Sequence, residues 1–177
     1  MKLIGITGKA GSGKTTAAKF LSEKRYHVMS FATPLKLMAD YILDSFDMLP
    51  VVNKNEIIPG LDCTVRHLYQ TLGTEWGRQC IHPDLWVLCA KQSIDRVTDF
   101  RKFTVLYDGI VFDDVRFNNE ADFIRKQGGK IIHLVRENSI EDNHQSELGI
   151  NPEGSDYIVV NNGDKQELSI KIMDIVS

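Results

Sequence analysis

No run in the 177-residue sequence approaches the roughly 18 consecutive apolar residues that a membrane-spanning helix needs. A secretory leader is not expected either, because Lys9 and Lys14 interrupt the N-terminal segment too early. Both absences predict a cytoplasmic protein with no membrane partner. Cysteine is scarce: Cys63, Cys80 and Cys89 are odd in number, with no C-x-x-C spacing and no accompanying histidine pattern. That excludes a disulfide framework and a zinc site and leaves buried or idle thiols. Excess charge of one sign is also missing. A formal net charge of −3 gives no general attraction to a nucleic-acid polymer, so any polyanion must be met by locally concentrated Arg and Lys. Mononucleotides suit that arrangement better than DNA. Internal repeats and low-complexity tracts are lacking too, and 42% hydrophobic content over this length predicts one globular domain spanning residues 1–177.

What is present begins within the first turn of chain. Gly8-Lys9-Ala10-Gly11-Ser12-Gly13-Lys14-Thr15 reads G-x-x-x-x-G-K-T, a phosphate-binding loop. Lys2 to Thr7 before it reads as a short buried strand, and Thr15 to Lys24 after it as a helix, which is the context the motif requires. Glycines let successive backbone N–H groups turn toward phosphate oxygens, and the helix N-terminus adds its partial positive charge. Lys14 is then placed for the β- and γ-phosphates and the Thr15 hydroxyl for Mg²⁺. The plain alternative is a glycine-rich turn that only joins a strand to a helix.

Farther on, His27 to Phe31 predicts a second strand, and Thr33-Pro34 an N-cap with proline at the first helical position. The helix after it shows Leu35, Met38, Ile42 and Phe46 at helical spacing. From Asp47 to Asp62 the pattern lapses into a loop long enough to be read as a mobile, substrate-facing segment. Thr64 is expected to cap a helix with the stripe Val65, Leu68, Tyr69 and Leu72, ended by Gly73; Thr74 to Arg78 then reads as an irregular polar turn. A further helix is expected from Pro83-Asp84 toward Val97.

Phe103 to Phe112 is rich in strand formers, interrupted by Asp108-Gly109, and leads into Asp113-Asp114. A hairpin at Asp108-Gly109 is the alternative to one buried strand at Ile110 to Phe112. Asn118 is expected to cap a helix that stops at Gly128, Lys130 to Val135 returns as a strand, and Tyr157 to Val160 makes the last one. From Asp164 a final helix is expected to bury Leu168, Ile172 and Ile175. Strands and helices in alternation predict an α/β fold of the P-loop NTPase kind, a five-stranded parallel sheet with helices on both faces.

In such a sheet ligands lie off the carboxyl ends of the strands. The residues there are the phosphate loop, then Thr33 and Lys36, then Asp113, Asp114 and Arg116, then Arg136. A carboxylate in that place, Asp114, holds Mg²⁺ or its waters, and converging arginines neutralise a phosphoryl group in flight. Asp114 as a turn acid, and Arg116 and Arg136 in surface salt bridges, are the alternatives. Trp76, beside Gly77 and Arg78, is either core packing or a platform for a base. His144-Gln145-Ser146-Glu147 has no strand-to-helix elbow and is not read as a hydrolase triad.

The pieces GKAGSGKTT, SFATPLK at Ser30 to Lys36, TVRHLYQTLGTEWGRQ at Thr64 to Gln79, DVRFNNEADFIRKQGG at Asp114 to Gly129, and HQSE together resemble the bacteriophage-type deoxynucleoside monophosphate kinases, relatives of dephospho-coenzyme A kinases. The resemblance covers nearly the whole chain and is weakest over Asp47 to Asp62. It implies transfer of the γ-phosphoryl group of ATP, with Mg²⁺, to a deoxynucleoside monophosphate. It implies that Gly8, Ala10, Gly11, Ser12, Gly13, Lys14, Thr15 and Thr16 hold the ATP phosphates and Mg²⁺. Lys36, Arg66 and Arg78 hold the monophosphate, with Arg116 as another phosphate contact and Trp76 beside them. It further implies a helical substrate-binding region at about 33–98, a short lid at about 137–154 with Arg136 beside it, and Asn161 in the turn bordering the adenine. Lys14, Arg78, Arg116 and Arg136 are then the catalytic cations. Two rivals stand beside this reading: a kinase of another small, dephospho-coenzyme A-like acceptor, and an ATP-binding switch that transfers nothing. Dimerisation of the chain is left open.

Overall fold

A computed structural model describes residues 1–98, 107–136 and 150–177. The strand formers at Phe103 to Leu106, the His144 to Glu147 piece and residues 137–149 of the expected lid lie outside the described residues. The chain divides into two compact units, Met1–Phe31 with Ile94–Ser177, and Ala32–Ser93.

The first unit contains β1 (Lys2–Thr7), α1 (Lys14–Glu23), β2 (Tyr26–Met29), β3 (Gly109–Phe112), α5 (Asn118–Lys126), β4 (Lys130–Val135), β5 (Tyr157–Val160) and α6 (Lys165–Val176). All strand pairs are parallel, in the order β2-β3-β1-β4-β5, with Gly5 opposite Phe112 on one side and Ile131 on the other. The short apolar strands alternate their side chains between two covered faces, as a parallel sheet demands. Ile4, Ile6, Ile132 and Leu134 pack with Ala17 and Leu21 of α1 and Leu168 and Ile172 of α6. On the other face, a Cβ on Gly5 would stand 2.7 Å from Ile131 Cδ1 and 2.8 Å from Ile124 Cδ1, which shows how closely α5 lies there. The last helix is capped by Asp164, whose carboxylate accepts from Glu167 N, and buries Val176 fully where Ile175 was expected, leaving Ile175 half-buried.

At the far side of β4 a charged cluster ties α5 to the chain entering β5. Arg125, 12% exposed, donates from Nε to Asp156 Oδ1 at 3.1 Å and from Nη2 to Oδ2 at 2.6 Å. Nη1 reaches Glu153 and Asp122 at 2.7 and 3.1 Å. Asp156, 1% exposed, is also met by His133 Nε2 and by the Glu153 backbone N–H, each at 2.9 Å. Burial pushes its carboxyl up, but Arg125, the Glu153 amide and His133 outweigh that and hold it down at about 2.

The second unit holds α2 (Thr33–Asp44) and α3 (Val65–Thr71), a π-helix (Leu72–Ile81) and most of α4 (Leu85–Thr98). Thr33 is the first residue of α2 rather than its cap, which is Ala32, so Pro34 falls one place later than expected. The buried stripe is Leu35, Ala39 and Leu43, and Met38 is exposed. Thr64 does cap α3, accepting from His67 N at 3.1 Å.

Gly73 does not stop that helix. The chain continues as ten residues of π-helix, in which His82 N donates five residues back to Gly77 O at 3.1 Å. Trp86 is the physical reason. Its buried indole N–H donates to Gly73 O at 2.7 Å, and a Cβ on Gly77 would lie 2.8 Å from its ring atom Cε2, so only glycine admits the ring against the widened backbone. The 47–62 loop is likewise held rather than loose. Ile58 N donates to Cys63 O at 2.8 Å, Val65 N to Glu56 O at 3.0 Å, and Ile58 is fully buried with Leu43 and Val65.

Candidate active site

The site is built at the carboxyl end of β1, the central strand. Beyond Thr7 the chain turns through Gly8, Gly11 and Gly13, all with positive φ, and Ser12 N donates to Lys9 O at 3.1 Å. Gly13 caps α1 at φ 105°, a conformation that side chains resist, and a Cβ there would collide with the Asn161 side-chain amide. With glycine as the cap, the first-turn N–H groups and the positive end of the helix face the loop. Ser12 is 1% exposed, and its hydroxyl has no hydrogen-bond partner among the described residues.

Lys14 folds back over the loop, donating from Nζ to Gly8 O at 2.6 Å and Lys9 O at 3.2 Å. Its ammonium also lies 3.5 Å from Asp114 Oδ1, while the other carboxylate oxygen accepts from Arg116 Nε at 2.6 Å. One acid at the end of β3 thus bridges two cations. The strand register brings it there. Asp113 N donates to Met29 O and Val115 N to Ile6 O, which carry the ladder past Phe112 and hold Asp114 next to the loop.

An acid in the first turn of α5 then sets the next turn. Glu120, 3% exposed, accepts from Arg116 N at 2.9 Å and Phe117 N at 3.2 Å through one oxygen. The helix begins after Phe117, so Asn118 is its first residue rather than its cap, and Glu120 at the third position reaches back as in half of a capping box. The acid three places into the helix was the available signal.

Asn161, 8% exposed, donates from Nδ2 to Ser12 O at 2.8 Å, and its own N–H donates to Val135 O at 2.8 Å. The turn after β5 therefore braces the loop. Thr15 is exposed and Thr16 half-buried in the first turn of α1, and Arg136 is exposed at the end of β4. Lys14, Asp114, Arg116 and Asn161 are thus gathered around one loop.

Lys36, Arg66, Trp76 and Arg78 belong to the second unit. Lys36 is exposed in the first turn of α2. Arg66 donates from Nε to Asn55 Oδ1 at 3.1 Å. Trp76 is 37% exposed, and its ring lies 6.5 Å from the Trp86 ring at 42°. Arg78 donates to Pro83 O at 3.1 Å. Near them Tyr69 donates to Asp40 Oδ1 at 2.8 Å, and burial together with that acid pushes its phenol up to about 12.

For a divalent cation the available donors near the loop are the Thr15 hydroxyl and the Asp114 carboxylate, hard oxygens that suit Mg²⁺. Among the described residues no group of three His, Cys, Asp or Glu is gathered as a metal centre, and no helix is long and apolar enough to cross a membrane.

Residues 40–172 match the family described as deoxynucleotide monophosphate kinase. A putative deoxynucleotide monophosphate kinase of Acanthamoeba polyphaga mimivirus is 31% identical over a 186-residue alignment that covers 99% of this chain and 96% of the relative. The deoxynucleoside-5'-monophosphate kinase of Escherichia phage T5 is 24% identical over 222 residues, covering 84% of each chain. Among solved structures, TT1252 from Thermus thermophilus shares the fold, with a TM-score of 0.53 at 15% identity over 99% of this chain and 96% of that one.

Proposed function

From the premise that this chain belongs to the deoxynucleotide monophosphate kinase family, we propose that it transfers the γ-phosphoryl group of ATP to a deoxynucleoside 5'-monophosphate. The observation that carries the reading is the Lys14–Asp114–Arg116 cluster at the mouth of the glycine loop. A positive helix end, an ammonium and a guanidinium converge where the terminal phosphates of a nucleotide would lie.

In this reading the loop amides from Gly11 to Thr16, with Lys14, grip the ATP phosphates, and Asn161 keeps the loop in shape from the adenine side. Lys36, Arg66 and Arg78 hold the acceptor monophosphate, Trp76 offers its exposed ring to the base, and Arg116 is a further phosphate contact. Arg136 is the lid cation of this reading. An acceptor phosphate oxygen forms a bond to Pγ as the bond from Pγ to the bridging oxygen of ADP breaks. The acceptor is already an anion, so no base is required and the chain's contribution is alignment and charge neutralisation. Thr15 and Asp114 would hold Mg²⁺, which when bound neutralises charge on the β- and γ-phosphates.

A kinase acting on a small alcohol would need an acid free to accept its hydroxyl proton. The match to deoxynucleotide monophosphate kinases, whose acceptor carries a phosphate, supports a phosphate acceptor over an alcohol. The test is ADP release in a coupled assay against a panel of nucleoside monophosphates. ADP formation that depends on a deoxynucleotide acceptor is expected; an equal rate with and without acceptor would make the chain an ATP-binding switch or hydrolase instead.

A further inference from the structure

The 47–62 loop, where the family resemblance is weakest, is tied to one of the cations proposed for the acceptor. Asn53 Oδ1 accepts from Asn55 N at 3.0 Å, and Asn53 O from Glu56 N at 3.2 Å, a local turn that presents residues 54 and 55. Against that turn lies the start of α3. Arg66 N donates to Lys54 O at 2.7 Å and Arg66 Nε to Asn55 Oδ1 at 3.1 Å, while Ile57 and Thr64 form an antiparallel bridge. The far end of the turn is anchored by Ile58, buried with Leu43 and Val65. Beside it the Lys54 ammonium sits 5.5 Å from the centre of the Tyr69 ring, and Tyr69 is itself bound to Asp40 of α2.

Arg66 is therefore held twice by adjacent residues of one loop, at its backbone and at its side chain. Engaging Nε fixes the plane of a guanidinium and so the direction in which the edge formed by its two terminal nitrogens points. For a planar fork that recognises phosphate through two parallel bonds, that direction decides whether the contact forms at all. A long side chain without such a brace loses rotamer freedom each time it binds, which weakens the contact.

We propose that Asn55 is a positioning residue for the acceptor: the 47–62 loop aims Arg66 at the monophosphate and so tunes acceptor affinity without touching the ATP side. The proposal rests on the acceptor role given to Arg66 above, and the experiment separates the two. Initial rates of the full-length protein are measured for Asn55→Ala, Arg66→Ala and the double variant, varying deoxynucleoside monophosphate at saturating ATP and then the reverse, with a melting curve for each. The ordering cost of one unbraced long side chain predicts that Asn55→Ala raises the acceptor KM about twofold to tenfold. KM for ATP and the melting temperature stay at wild-type values, and in the Arg66→Ala background the added Asn55→Ala change does nothing further.

Four results overturn it. An Asn55→Ala acceptor KM that stays at the wild-type value while Arg66→Ala raises its own removes Asn55 alone. Equal effects of Asn55→Ala with and without Arg66 show that it does not act through the guanidinium, and a joint fall in melting temperature and both affinities shows a structural residue only. If Arg66→Ala itself leaves the acceptor KM unchanged, the acceptor role of Arg66 falls and the proposal falls with it.

Discussion

Replacing Arg125 by alanine is expected to destabilise the fold through one buried carboxylate. Of the acids around Arg125, Asp122 and Glu153 are 44% and 57% exposed, and such surface pairs contribute only about 0–1 kcal/mol each. Asp156 is different. Its side chain is 1% exposed and takes two parallel bonds from the guanidinium, and removing one partner of a buried pair costs roughly 3–5 kcal/mol. Because His133 and the Glu153 amide still meet the carboxylate, the lower end applies, about 3 kcal/mol. For a chain of this length that is a fall in melting temperature of about 6–12 °C at neutral pH.

The pH dependence supplies a second, independent reading of the same group. A carboxyl lowered in the folded state from 3.8 to about 2 contributes stability that is complete above the unfolded value and lost as pH falls through the folded one, here about 2 kcal/mol. Without Arg125 the downward pull is weaker while the upward push of burial remains, so the variant's carboxyl titrates at higher pH than the wild type's and less stability is there to lose in acid. The gap between the two proteins is therefore full near neutrality and narrows as pH drops below about 4. Thermal melts from about pH 7 down to about pH 3 measure it. Arg125→Lys, which keeps the charge but not the fork, should fall between. A variant that melts with the wild type at neutral pH, or a gap that widens toward acid, would refute the argument.

Other outcomes follow from the loop and its supports. Lys14→Ala is expected to lower kcat by at least about a hundredfold, since a cation aimed at transferring phosphate is lost; near-normal turnover with every deoxynucleotide would remove that lysine from the mechanism. Gly13→Ala forces a side chain into φ 105° and into the Asn161 amide, a strain of order 1–3 kcal/mol that should raise KM for ATP, read by nucleotide titration. Glu120→Ala leaves the Arg116 and Phe117 amides without their carboxylate, and a loss of about 2–3 kcal/mol in denaturant unfolding should accompany reduced turnover. An unfolding curve superimposable on the wild type would show those bonds to be dispensable.

The glycine loop, the alternation of strands and helices and the parallel sheet were legible because each rests on local signals: glycines before a lysine, apolar runs four to six residues long, caps at helix ends. The misreadings share one cause. Gly73 looked like a helix stop, and as an isolated residue it would be one; Trp86, thirteen residues on, takes its carbonyl and leaves room only for glycine at position 77. Asn118 looked like a cap because asparagine commonly is one, but Glu120 reached back instead. Asp47 to Asp62 looked mobile for want of pattern, yet its hydrogen bonds run to Cys63, Val65 and Arg66.

By itself the order of residues along the chain determined that a glycine loop would form between β1 and α1 and that acids and arginines would follow other strands, since backbone preference and spacing act over a few residues. Only folding in three dimensions decided that Asp114 would stand between Lys14 and Arg116, that Asn161 would hold the Ser12 carbonyl, and that Asn55 would accept from Arg66. Those pairings depend on strand register and helix packing between residues as many as 149 positions apart, and no local preference encodes them.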